Sequence, residues 1–74
     1  MTHAELTELT NIEEKAYKTF KEKMKEAKAE KYSKEIENEV IEMYKDSLKD
    51  EEWIEDARET LKITYQVETK RGKF

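Results

Sequence analysis

The chain contains no proline and a single glycine, Gly72, so almost nothing in it interrupts an α-helix. Helix boundaries must therefore be inferred from capping residues and from shifts in the phase of the apolar positions. The chain also lacks cysteine, which excludes disulfides and thiolate metal sites. With 74 residues, it must be stabilised by its own apolar core or by a partner.

The first long helix is predicted over residues 12 to 31, because apolar residues recur there every three or four positions. This spacing places them on one helix face. They are Ile12, Ala16, Phe20, Met24 and Ala27. Upstream, Thr2 and Glu5 have the spacing of a capping box, and Asn11 and Glu14 have it again. Residues 3 to 9 are therefore predicted to form a short helical turn before the long helix.

Two capping residues mark the beginnings of two further helices. Ser33 is a favourable N-cap, and the apolar pattern restarts behind it. The members of this second pattern are Ile36, Val40, Ile41, Met43, Tyr44 and Leu48. Asp50 is the N-cap of a third helix, whose apolar positions are Trp53, Ile54, Ala57 and Leu61.

The apolar period changes behind the third helix. Ile63, Tyr65 and Val67 alternate with polar residues, and a period of two in β-branched and aromatic residues predicts a short strand. A lone strand needs a partner for its backbone hydrogen bonds. We expect the same strand of a second copy to pair with it, so that these three residues hold an antiparallel dimer. The edge of a target protein and the N-terminal segment are the other candidates, and the alternative is that residues 62–68 extend the third helix.

The predicted fold class is mainly α, a small three-helix domain with a short C-terminal strand, or α+β if that strand pairs in a dimer. Residues 1–74 form one domain, with residues 1–10 and 70–74 expected to fray. Only 13 residues are Val, Ile, Leu or Phe, so the core is thin. A thin core is a second reason to expect self-association.

Charge is unevenly distributed along the chain. It holds 19 Asp and Glu against 15 Lys and Arg, for a net charge of −4. Residues 15–34 contain eight Lys and three Glu, whereas residues 35–59 contain eleven acids and three bases. A neutral-looking average therefore conceals a basic first helix followed by two acidic helices.

The acids of the second and third helices are the predicted partner-binding residues, because they recur on the sides opposite the apolar faces. They are Glu35, Glu39, Glu42, Asp46, Glu51, Glu55, Asp56 and Glu59. One alternative is that these carboxylates are only the solvated face of amphipathic helices. Another is that the basic first helix packs beside them and cancels much of their field.

Catalytic chemistry has few candidates in this sequence. His3 is the only imidazole and lies near the N-terminus, and no glycine-rich phosphate loop or calcium loop is present. We therefore predict no enzymatic activity, no metal and no cofactor. The sequence also lacks a long apolar run or a signal-peptide pattern, so we expect a cytoplasmic protein with no membrane association.

Three functional hypotheses remain. The first is a binding module whose acidic helices engage a basic host protein, in its sharper form a DNA mimic that occupies a phosphate-binding groove. The second is a structural, self-associating helical protein. The third is nucleic-acid binding through the lysines of residues 15–34 and the basic tail Lys70, Arg71 and Lys73, which the negative net charge disfavours. In composition the chain resembles the small regulators and inhibitors encoded by phages and mobile elements, which favours the first.

Overall fold

The computed structural model describes residues 2–72, which form three helices and the segments that connect them. They are α1 (His3–Glu26), α2 (Lys34–Met43) and α3 (Glu51–Lys70). The predicted N-caps Thr2, Ser33 and Asp50 are confirmed, since each side chain accepts a hydrogen bond from a backbone N–H three residues later. The mainly α, three-helix fold is therefore confirmed.

The helices form an up-down-up bundle. Side-chain contacts from Glu13 to Thr60 and from Lys21 to Glu68 show that α1 and α3 run parallel. The contact between Lys23 and Glu39 and the one between Thr19 and Tyr44 place α2 antiparallel to α1. The buried core lies between all three helices and contains Leu9, Ala16, Phe20, Met24, Val40, Ile41, Leu48, Trp53, Ala57 and Leu61.

The first helix differs from its prediction at both ends. The separate turn over residues 3 to 9 is wrong, because α1 is continuous from His3 and buries Leu9 on the same face as Ala16. The helix also ends at Glu26 rather than near residue 31. Lys28 has a left-handed backbone (φ 53°), and the Ala29 N–H donates to the Met24 carbonyl at 3.0 Å, which together end the helix in a Schellman motif.

The predicted strand over Ile63–Val67 is wrong, and the alternative that these residues extend the third helix is confirmed. Tyr65 explains the outcome, because its ring packs edge-on against Tyr32 with centroids 5.3 Å apart. A helix brings Leu61 and Tyr65 to one face, where both contact the core, whereas Ile63 and Val67 point outward. Tertiary packing therefore overrides the local β-propensity of this segment.

Candidate acidic interface on helices α2 and α3

The predicted partner-binding glutamates of α2 lie exposed along that helix, as the spacing predicts. Glu35, Glu39 and Glu42 are all exposed. Asp46 is also exposed, but the prediction that it continues a helical row is wrong, because α2 ends at Met43 and Asp46 lies in the following turn. In that turn the Leu48 N–H donates to the Tyr44 carbonyl at 3.0 Å, which returns Leu48 to the core.

The acids of α3 divide into two sets. Glu51 and Glu55 line an open groove of about 650 Å³ between α2 and α3, together with Glu42 of α2. Ile41 and Ile54 supply the apolar part of this groove. By contrast, Asp56 and Glu59 are exposed without lining that groove. The structure thus brings three of the eight predicted residues together at one groove. Glu35 and Glu39 instead line a separate hollow between α2 and the end of α1.

A partly buried ion pair lies at the wall of the groove, since Arg58 lines the groove and its side chain is 31% exposed. Glu37 is only 4% exposed, and its Oε2 accepts a hydrogen bond from Arg58 Nη1 at 3.0 Å. The Tyr32 hydroxyl donates to Glu37 Oε1, and Arg58 Nη1 also donates to Asn38 Oδ1 at 2.6 Å. These bonds connect the α1–α2 connection, α2 and α3, so they fix the spacing of the two helices that form the groove.

Sequence reasoning did not single out Glu37 or Arg58, although the sequence contains a sign of the first. On a helical wheel, Glu37 falls inside the arc that runs from Ile36 to Ile41, with Val40 between them. An acid within an apolar arc is expected to be buried with a partner, because an unpaired buried carboxylate is costly. The identity of that partner depends on how α2 packs against α3, which the spacing does not show.

Two lysines reach the acidic residues. Lys23 of α1 lies 3.8 Å from Glu39, and Lys45 lies 3.9 Å from Glu42 on the same side of α2. Both glutamates are more than half exposed, and ion pairs in such positions contribute about 1 kcal/mol or less. Among residues 2–72, no other predicted partner-binding carboxylate is in a salt bridge. The basic first helix therefore neutralises the acidic surface only in part.

The three predicted dimer residues have different environments. Tyr65 belongs to an aromatic cluster with Tyr17, Phe20 and Tyr32, so it lies within the bundle rather than on its surface. Ile63 and Val67 are exposed on the outer side of α3. A dimer through a strand that contains all three is therefore not compatible with the helix.

The hydroxyls of this aromatic cluster meet carboxylates. Burial and the hydrogen bond to Glu37 raise the pKa of Tyr32, and burial beside Glu68 raises the pKa of Tyr17. The Tyr17 hydroxyl is buried and lies close to Glu68 without meeting the geometry of a hydrogen bond. Both tyrosines are therefore neutral at physiological pH.

A second, smaller groove lies between α1 and α3. Its volume is about 200 Å³, and it is lined by Thr10, Glu13, Glu14, Tyr17, Thr60 and Thr64. The Thr60 hydroxyl donates to Glu13 Oε2 at 2.9 Å. Burial raises the pKa of Glu13, and Asp56 raises it further, while the hydrogen bond from Thr60 lowers it. The net effect is that the pKa of Glu13 lies above its ordinary value in the folded state.

We expect the substitution Glu13→Gln to stabilise the protein at pH 7. A folded-state pKa above the unfolded value means that the neutral acid is favoured on folding, an advantage that is lost as pH rises through the folded pKa. The amide is neutral at every pH and still accepts the bond from Thr60. The gain in the free energy of unfolding should be no more than about 0.5 kcal/mol, as for most partly exposed positions.

Urea unfolding at pH 7 and below pH 4, followed through Trp53 fluorescence, measures this effect. Well below the ordinary pKa of a glutamate, about 4.3, the carboxyl is protonated in both the folded and the unfolded state, so the gain should disappear. Glu14→Gln is the matched control, because Glu14 is the exposed neighbour and its substitution changes the net charge equally. A gain that persists at low pH, or one that the control reproduces, would show that burial of Glu13 is not its cause.

Comparison with known proteins finds no matching family model, no matching curated protein and no matching solved structure. Within residues 2–72, no helix combines the length and the apolar character needed to cross a membrane. In the same residues, no three His, Cys, Asp or Glu side chains are grouped so that they could hold a metal ion.

Proposed function

We propose that this chain is a non-enzymatic regulatory or inhibitory protein that binds a basic, nucleic-acid-binding protein through the acidic surface of α2 and α3. The supporting observation is the groove between these helices, where three carboxylates line the same space as two apolar side chains and two cations. The carboxylates are Glu42, Glu51 and Glu55, and the other side chains are Ile41, Ile54, Lys45 and Arg58. Carboxylates from two adjacent helices there face the same solvent space. Such an arrangement suits a partner that presents lysines and arginines around an apolar contact.

Charge density supports the sharper form of the proposal, in which the surface imitates nucleic acid. Each strand of duplex DNA carries one charge per roughly 3.4 Å of axis. Glu35, Glu39 and Glu42 recur every three or four residues, which is one charge per about 5 to 6 Å at a rise of 1.5 Å per residue. One helix is too dilute, but Glu51 and Glu55 of α3 line the same groove as Glu42 of α2. The combined charge density at the groove is therefore higher than that of α2 alone.

The fixed distance between α2 and α3 also supports the proposal. The bonds of Arg58 to Glu37 and Asn38 connect α3 to α2 at the wall of the groove. Because the two helices are already fixed, little backbone conformational entropy is lost when a partner binds their acidic side chains. The ion pairs Lys23–Glu39 and Lys45–Glu42 are exposed and weak, so a partner's arginines can displace these lysines.

We expect neutralisation of three exposed carboxylates, with Glu39→Gln, Glu42→Gln and Glu55→Gln combined, to weaken partner binding at least tenfold at low salt. These substitutions leave the buried core intact, so the helical circular dichroism spectrum should be unchanged. A partner can be isolated from a lysate at low salt and purified. Binding of the purified partner is then measured by isothermal titration calorimetry at 50 and 300 mM salt, since electrostatic binding weakens as salt rises.

The matched control combines Glu14→Gln, Glu22→Gln and Glu26→Gln, which neutralise three exposed acids of α1 and change the net charge equally. Duplex DNA should also compete with this protein for the partner. If the control weakens binding as much as the α2–α3 variant, the effect is one of net charge and the proposed surface is wrong. If the chain itself binds duplex DNA, and Lys18→Gln with Lys25→Gln abolishes that binding, α1 is the functional surface instead.

A further inference from the structure

The outer side of α3 carries an apolar pair that the bundle leaves uncovered. Ile63 is 52% exposed and Val67 is 43% exposed. They are four residues apart on one helix, so their side chains are neighbours on the surface. The other strongly exposed large apolar side chains among residues 2–72 are Leu6 and Met43, which belong to other helices.

Charged residues flank this pair on the same side of the helix. At 100° per residue, Asp56, Glu59, Ile63, Val67 and Lys70 fall within about 80° of arc. In chain order the face is acidic, then apolar, then basic. The three charged side chains are exposed, and none of them is in an intramolecular salt bridge within the described residues. We call these five residues the outer α3 face.

The order of charges along this face is complementary to the same order read in the opposite direction. When two copies of the face meet antiparallel about a two-fold axis between Ile63 and Val67, each Ile63 lies opposite the Val67 of the second copy. Lys70 then lies within one residue of the second copy's Glu59, an axial offset of about 1.5 Å. A parallel arrangement would instead place Lys70 against Lys70 and Glu59 against Glu59. Charge complementarity therefore selects the antiparallel arrangement.

We propose that the occupant of the outer α3 face is a second copy of this chain, in an antiparallel α3–α3 dimer. The contact is isologous, since the same residues serve both copies. It uses Ile63 and Val67 as helical neighbours rather than as members of a strand, while Tyr65 stays in the aromatic cluster of its own copy. The inference does not depend on the acidic interface, whose groove residues Glu42, Glu51 and Glu55 stay outside the contact.

The expected dimer is weak. The face extends over 14 residue steps, or about 21 Å of helix, and it contains one apolar pair per copy. Interfaces of this extent are at the small end of those that form specific complexes. The measurement must therefore reach high concentrations of the full chain.

Sedimentation equilibrium of the full chain from about 10 μM to 1 mM tests the proposal. We expect the mass to rise from 8.9 kDa toward twice that value, and Ile63→Lys to raise the dissociation constant at least tenfold. The helical circular dichroism spectrum of this variant should be unchanged, because Ile63 is exposed. Met43→Lys is the matched control, as Met43 is 59% exposed on α2, and its dissociation constant should equal that of the native chain.

Exchanging the charges of Glu59 and Lys70 distinguishes the antiparallel α3–α3 dimer from other contacts between copies. Glu59→Lys alone places like charges at both ends of the interface, so it should weaken the dimer several-fold. Adding Lys70→Glu in the same chain restores opposite charges across the axis, and the dissociation constant should recover. A native chain that sediments as a monomer at all concentrations overturns the proposal, and so does a dimer that Ile63→Lys does not weaken. Failure of the double exchange to recover the dimer overturns the antiparallel arrangement.

Discussion

Replacement of Arg58 by methionine should destabilise the protein by about 2 kcal/mol, below the range of about 3 to 5 kcal/mol for a fully buried ion pair, because the Arg58 side chain is 31% exposed. The Glu37 carboxylate would remain buried with Tyr32 as its donor and without its cation. Domains of this length have total stabilities of roughly 4 to 11 kcal/mol. The loss is therefore a large share of the total, and urea unfolding followed by Trp53 fluorescence would measure it.

The same site allows a compensating variant. Combining Arg58→Met with Glu37→Leu and Tyr32→Phe removes the buried charge, its cation and the hydroxyl that donates to it. Replacing a buried ion pair by apolar residues of similar volume is often neutral or stabilising. We therefore expect the triple variant to recover most of the stability that the single variant loses. A triple variant no more stable than Arg58→Met would show that the ion pair itself, rather than the uncompensated carboxylate, determines the loss.

The second large effect is expected for Phe20→Ala, which should cost about 3 to 5 kcal/mol. Phe20 is fully buried, and its ring lies 5.2 Å from that of Tyr32, 6.2 Å from that of Tyr17 and 6.4 Å from that of Tyr65. These contacts join α1, the α1–α2 connection and α3. Removal of the ring therefore leaves a cavity between these three segments of the chain, and we expect them not to close over it.

Thermal unfolding followed by circular dichroism would measure this loss. Phe20→Leu is the conservative comparison, and near-volume-conserving apolar changes generally cost less than about 1.5 kcal/mol. Ile63→Ala is the surface control and should change the free energy of unfolding by no more than about 0.5 kcal/mol. An alanine variant within about 1 kcal/mol of the native chain would contradict the central position of Phe20 in the core.

The features that were predictable from the sequence are those that depend on a few adjacent residues. Thr2, Ser33 and Asp50 mark helix starts because each has a side-chain oxygen that satisfies a free backbone N–H. The exposed acids of α2 and α3 were predictable from their periodicity in the same way. Their division between the groove and the outer α3 face was not, because it depends on the direction from which α2 approaches α3.

The sequence predictions are wrong where a contact between residues far apart in sequence decides the local structure. Residues 62–68 have strand-like alternation, but Tyr65 gains its contacts with Phe20 and Tyr32 only as part of a helix. The second helix ends at Met43 because the turn that follows it returns Leu48 to the core. No residue before Met43 indicates this turn. The ion pair of Glu37 with Arg58 joins residues 21 positions apart in sequence, so local sequence patterns do not predict it either.

The up-down-up order of the helices has a consequence for how the chain reaches its fold. Residues 27–33 and 44–50 connect successive antiparallel helices, so α1 with α2, and α2 with α3, form hairpins from segments close in sequence. Helical proteins dominated by such local contacts fold in microseconds to milliseconds. The sparse apolar side chains of this chain are therefore exposed to water only briefly during folding, which limits the time available for aggregation.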